Sequence, residues 1–246
     1  METKKILPRI NNIDFAGRIY GKPTVNETGT RAAFSVIRNF GGDKEAVILD
    51  FVMFRKPSDP EFPEFLKSGS PVVVHAYFNP DDYTNKEGKA IHKVQFVVKK
   101  VEKAETKNNI LPGINNIYFA GRLAADPKVN AAGTCAMFRL VRNFGGGKGS
   151  VGIDLTMLRR KDGPAFPDFL KQGKPVTVHA YFNPAVYNDS EGNVIEKIQM
   201  VIKKDGIAPA ELVEKKFRTL EAADNVDAEP EEFADDAVSD VEIVEQ

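Results

Sequence analysis

The sequence has no tryptophan, one cysteine (Cys135) and only three histidines among its 246 residues. A lone cysteine excludes an internal disulfide framework and any zinc site built on cysteine pairs. It also makes a reducing cytosolic compartment the simplest expectation. No apolar run approaches the ~20 residues that a membrane-spanning helix requires, so no membrane partner is expected. The opening METKKILPRINN carries two lysines with no apolar stretch behind them and does not read as a secretory signal. With so few histidines and one cysteine, no metal or other cofactor is expected. A glycine-rich phosphate loop and a nucleophile motif are also missing, and an enzyme is not expected.

Charge is scarce only in the total. The formal net charge is −1, yet residues 205–246 hold 14 acidic residues against Lys215, Lys216 and Arg218, a net of −11. Residues 1–204 therefore carry +10. A basic body with an acidic tail is the pattern of a nucleic-acid-binding core joined to an interaction tail.

The body is a repeat. ILPRINNIDFAGRI from Ile6 matches ILPGINNIYFAGRL from Ile110, and VHAYFNP occurs at Val74 and again at Val178, always 104 residues apart. This offset holds without a gap to Lys100 and Lys204. Within each copy the apolar residues alternate with a period near two, and β-branched and aromatic residues are abundant, as strands require. In the first copy, strands are expected from Asn12, over 32–38, 46–54, 71–77 and 91–100. Phe62, Phe65 and Leu66 fall at helical spacing before Gly69, so a short helix is expected between the third and fourth strands. That order is the order of an OB-fold barrel. The expected fold is thus all-β: two tandem five-stranded OB barrels, each with a short helix between strands three and four, OB domain 1 over 1–104 and OB domain 2 over 105–207. Over 208–246, Pro209, Leu212, Val213, Phe217 and Leu220 predict a short C-terminal helix. The acidic remainder is expected to be disordered.

The residues NNIYFAGRLAADPKVNAAGT, FPDFLKQGKPVTVHAYF and YNDSEGNVIEKIQMVI, in that order, resemble the OB domain of bacterial-type single-stranded DNA-binding proteins. The likeness lies in Asn116, Ile117, Gly121, Arg122 and Leu123, in Asp126 and Pro127, and in Phe169, Leu170, Lys171 and Gly173. It implies a tandem-OB member of that family, a non-enzymatic protein coating single-stranded DNA in replication, recombination and repair. It also implies a homodimer that brings four OB folds together in the bacterial cytoplasm and nucleoid, or a phage protein acting there. Family members stack bases on tryptophans, a place that Phe and Tyr must take here. The acidic tail implies recruitment of replication or repair proteins. It ends SDVEIVEQ rather than in the family's Pro-Phe pair, leaving Phe233, Val241, Ile243 and Val244 to meet a different pocket.

Sequence-tolerant binding of a single strand needs cations along the phosphates and flat side chains against the bases. Arg38 with Phe40, in IRNFGG, and Arg142 with Phe144, in VRNFGG, supply one of each at a strand end. The competing reading is a copied glycine turn with its Phe folded back on the barrel. Phe54, Arg55 and Lys56, with Arg159 and Arg160 in the second copy, place adjacent cations where phosphate contact is favoured. Tyr83 and Tyr187 precede the last turn, where they can stack on a base or plug the loop. Arg18 and Arg122, of the repeated Gly-Arg pair, complete the candidate set. His75 and His179 alternate with core positions and are expected on the surface or in the groove. Asp50 and Asp154 recur as single strand carboxylates, better suited to a structural hydrogen bond than to catalysis.

Single-stranded RNA is the nearest alternative ligand, because stacking and phosphate contact do not separate the two polymers. A protein-interaction adaptor built on OB barrels with a recruiting tail is the alternative from another class. Two further expectations follow from charge. The tail folds back over the basic groove and competes with DNA, and the second copy, with GGGKGS in place of GGDKEA, binds more tightly than the first.

Overall fold

The computed structural model describes residues 2–41, 46–81, 83–84, 88–91, 93–144, 149–188 and 194–217. The described residues divide into two compact units: residues 5–213, and residues 2–4 together with 214–217. The strands are β1 (Glu2–Ile6), β2 (Asn11–Val25), β3 (Arg31–Arg38), β4 (Val47–Phe54), β5 (Pro71–Pro80), β6 (Tyr83–Thr84), β7 (Ala90–Ile91) and β8 (Val94–Lys103) in the first repeat. The second supplies β9 (Asn115–Leu123), β10 (Lys128–Val129), β11 (Cys135–Asn143), β12 (Ser150–Leu158), β13 (Pro175–Asn188), β14 (Val194–Pro209) and β15 (Val213–Phe217). In the smaller unit, the described feature is the pairing of β1 with β15.

In the first repeat β2 pairs antiparallel with β3, and β3 with β4, while β4 runs parallel to β8. β8 pairs back on β5 and β5 on β2, closing a five-stranded ring. The same pairing order recurs through β9, β11, β12, β14 and β13. Alternation drives it. Val72, Val74, Ala76 and Phe78 of β5 are all buried, and the residues between them are not. Gly17 is required by strand approach, since a Cβ there would lie 2.5 Å from Val36 Cγ1 and 2.6 Å from the Ile37 oxygen.

The two repeats are joined edge to edge. β2 pairs antiparallel with β9 in a register centred on Ile13 opposite Ile117, residues that are themselves 104 apart. Each repeat is thereby related to the other by an approximate twofold axis through that pair. The core crosses the junction: Phe15 meets Phe182 edge-on at 5.9 Å, and Phe119 meets Phe78 at 5.6 Å. All four rings are fully buried.

The match ends where the gapless alignment ends. Val74 pairs with Val101, but Val178 pairs with Ile207, two residues further along than the 104 offset requires. Asp205 (φ +57) and Gly206 account for the extra length. Gly206 has no room for a side chain, because a Cβ would lie 2.4 Å from the His179 oxygen.

Three expected helices are corrected, one in each repeat and one at the C-terminus; between β12 and β13 the chain turns, with Leu170 N donating to Pro167 O and Lys174 N to Lys171 O, both at 3.1 Å. Between β4 and β5 the chain makes successive turns, with Leu66 N donating to Pro63 O at 2.9 Å and Ser70 N to Lys67 O at 3.1 Å. Only five residues separate Pro63 from Gly69, too few to offset the cost of helix nucleation. The apolar residues still do their expected work, since Phe65, Leu66 and Phe169 pack on the core and Leu170 is buried. The C-terminal helix is likewise replaced, at Val213–Phe217, by β15. Pairing with β1 satisfies that backbone in an extended form and overrides the helical spacing. Among the described residues there is no helix, and so none long and apolar enough to cross a membrane.

Candidate nucleic-acid interface

The two arginines of the repeated Arg-Asn-Phe run hold the junction. Arg38 Nη1 donates to Ala16 O at 2.9 Å and to Pro112 O, of the other repeat, at 2.8 Å. Arg142 Nη1 mirrors this, donating to Ala120 O at 3.1 Å and to Pro8 O at 2.7 Å. Each arginine thus clamps the ILP segment that leads into the other copy. The guanidinium groups lie over their own Phe40 and Phe144 rings at 5.6 and 5.9 Å, and both rings pack against the core. Burial lowers the pKa of both arginines, with Arg9 adding repulsion at Arg142.

Other candidate cations also serve the fold. Arg18 bonds Gly69 O at 3.1 Å and the Asn109 side chain, and Arg122 bonds Gly173 O at 3.1 Å. Gly69 and Gly173 adopt φ of +81 and +76, turns that these bonds cap. Arg55 donates to Gly29 O at 2.8 Å and Asp59 O at 2.5 Å and lies over Phe62. Arg159 repeats this with Gly133 O at 3.1 Å and Gly163 O at 2.6 Å, over Phe166. By contrast Lys56 and Arg160 are exposed, and neither side chain bonds another described residue. Phe54 beside Lys56 is 53% exposed, and its counterpart Leu158 is 58% exposed. Tyr83 lies in β6 paired with Ile91, and Tyr187 in β13 opposite Ile195; their side chains are not described. The glycine loops at 42–45 and 145–148 and the tail residues Phe233, Val241, Ile243 and Val244 lie outside the described residues.

The outer face of β2, β3 and β4 presents residues that sequence reasoning passed over. Tyr20 stands opposite Ser35, and Ser35 opposite Asp50. Ser35 Oγ donates to Asp50 Oδ1 at 2.6 Å, the structural bond expected of that carboxylate. A groove of about 780 Å3 runs here, lined by Tyr20, Lys22, Arg31 and Lys93, by the carboxylates Asp50 and Asp81, and by Ile198 and Met200 of the second repeat. The signal was available: Tyr20 ends the run NIDFAGRIY on its polar phase. On the matching face of the second repeat Arg139 makes two bonds to Asp154, at 2.8 and 2.6 Å. These bonds raise the pKa of Arg139 and lower that of Asp154.

A second outward face spans the junction. His75 Nδ1 lies 2.7 Å from Asp14 Oδ1, and its Nε2 is 3.4 Å from Glu102 Oε2. His179 instead stacks on Tyr118 at 4.4 Å, near Lys203, and burial followed by that cation lowers its pKa. No group of three or more His, Cys, Asp or Glu side chains is placed to hold a metal among the described residues.

No protein-family model matches this sequence, and no curated protein matches it. Solved structures do. The chain aligns with a deletion mutant of the single-stranded DNA binding protein from Thermus aquaticus at a TM-score of 0.54 and 14% identity, over 86% of this chain and 98% of that one. It also aligns with the mitochondrial single-stranded DNA binding protein Rim1 of S. cerevisiae, at a TM-score of 0.30 and 16% identity, over 41% of this chain and all of that one. The all-β fold seen here is therefore the fold of the Thermus aquaticus protein.

Proposed function

We propose that the chain is a non-enzymatic protein that binds single-stranded DNA without sequence preference through two tandem OB-fold barrels. The observation that carries this is the fold shared with a single-stranded DNA binding protein over 86% of the chain. The body's net charge of +10 supports it, as do the solvent-facing Tyr20, Phe54, Lys22, Arg31, Lys56 and Arg160. Together they supply stacking surfaces and phosphate contacts. Arg18, Arg38, Arg55, Arg122, Arg142 and Arg159, with Phe40 and Phe144, brace the strands that carry this surface. A contact to nucleic acid from any of them adds to that bracing. A stacking role for Tyr83 and Tyr187, which precede the last turn of each repeat in the sequence, belongs to the same reading.

The chain's place is replication, recombination and repair in the cytoplasm of a bacterium, as a homodimer, with the acidic tail recruiting partner proteins. The test is anisotropy titration of labelled oligo-dT, its duplex and an oligo-U of equal length at two salt concentrations. Tight, salt-sensitive binding to oligo-dT with much weaker duplex binding is expected, and oligo-U ranks RNA against DNA. Absence of oligo-dT binding at low salt overturns the reading and brings the adaptor alternative forward.

A further inference from the structure

The outer faces of the two repeats are made from the same strands but from different residues. In the first repeat Tyr20 is 55% exposed and stands at a groove of about 780 Å3 with Lys22, Arg31 and Lys93. None of these three cations pairs with a described residue. Positions 104 residues on hold Ala124 for Tyr20, Asp126 for Lys22 and Cys135 for Arg31, whereas Lys93 is kept as Lys197 and Thr24 becomes Lys128, so it is the aromatic and not all of the cations that the second face lacks. Arg139 takes the place of Ser35, and its guanidinium is occupied by Asp154. Met137 and Leu158, 50% and 58% exposed, are apolar there but not flat.

We propose that the first repeat's groove is the base-holding station for a single strand, and that the second repeat's face is a weaker phosphate track held in check by its own Arg139–Asp154 pair. This rests on the single-strand reading above. Stacking needs a planar face, and Tyr20 is the aromatic that the described groove offers to solvent. Ile198 and Met200 of the second repeat line the same groove, so both repeats contribute to the site that a base would enter. On the second face a phosphate must displace Asp154 before it reaches Arg139, and the displaced carboxylate then repels it. Asp126, whose Oδ1 accepts from Gln172 N at 2.6 Å, adds a further negative charge. The ranking is opposite to the one suggested by the glycine-loop sequences, whose charges lie at residues outside those described.

The experiment uses the full chain and an oligo-dT short enough to occupy one face, about eight nucleotides on OB-fold site sizes. Tyr20→Ala is expected to weaken binding roughly 5- to 150-fold, the range of one lost base–aromatic stack, with Tyr20→Phe restoring it. Leu158→Ala is expected to change it less than twofold. Asp154→Asn is expected to tighten binding at low salt and to steepen the log–log salt dependence by about one, as one more phosphate contact would. If wild-type chain binds the oligonucleotide and Tyr20→Ala binds equally well, this inference falls while the single-strand reading stands. It also falls if Leu158→Ala costs as much as Tyr20→Ala, or if Asp154→Asn leaves the salt dependence unchanged. A wild-type chain that binds no single strand at any length removes both.

Discussion

The first and second repeats differ least where they face each other and most where they face solvent. In the buried part of the junction the correspondence is residue for residue: Arg38 with Arg142, Phe15 with Phe119, Phe78 with Phe182, and Asn11 with Asn115, each asparagine bonding the backbone of its own buried Phe. On the outer face Tyr20 becomes Ala124, Lys22 becomes Asp126, and a Ser35–Asp50 bond becomes an Arg139–Asp154 ion pair. Interior packing punishes any change in volume, and a reciprocal junction punishes it on both sides. Solvent-facing positions carry no such penalty and are free to diverge in function.

The largest expected effect tests the symmetric half of this comparison. Phe15→Ala and Phe119→Ala each remove a fully buried ring from the shared core and should each destabilise the chain by about 3–5 kcal/mol. Urea unfolding of the two variants checks this. A loss in one that exceeds the other severalfold would mean that the two cores do not bear equal loads.

The arginine clamps come next. Arg38→Ala and Arg142→Ala each remove charged hydrogen bonds to two carbonyls, one in each repeat, at a cost of about 1.5–3 kcal/mol. One nitrogen, Nη1, serves both carbonyls in each case, so lysine fails on reach and on the lost planar group over Phe40 or Phe144, and should rescue either variant only in part. Stability and oligo-dT affinity are measured together on folded protein. A stability loss with unchanged affinity marks these residues as bracing alone, whereas a loss of affinity in the folded fraction gives the Arg-Asn-Phe run a ligand contact as well.

The smallest effect lies on the junction's outward face. His179 has its pKa lowered by burial and then by Lys203, so the unfolded chain binds a proton more readily than the folded one. Its contribution is complete above the ordinary histidine value of about 6.5 and is lost as pH falls through the folded value. His179→Asn should therefore flatten the decline in stability between about pH 7.5 and 5.5 relative to wild type. An unchanged slope in urea titrations at the two pH values would place the source of that decline elsewhere.

Sequence by itself determined the repeat, its strands and most of its core, because burial on one face of a strand writes a period of two into the chain. Phe15, Phe34, Phe119 and Phe138 are all buried as that period requires. It also located the basic body and the residues of the Arg-Asn-Phe run. Conformation at the helix-like spacings was not legible, because Pro63 and Gly69 leave too short a span and because β15 finds its partner in β1, some 200 residues away. Nor was the duty of the arginines. A guanidinium serves a phosphate and a carbonyl equally well, and only the antiparallel meeting of β2 with β9 brings Pro112 to Arg38 and Pro8 to Arg142. The same folding leaves Tyr20, an unremarked residue at the end of a motif, facing solvent beside a wall that the other repeat provides.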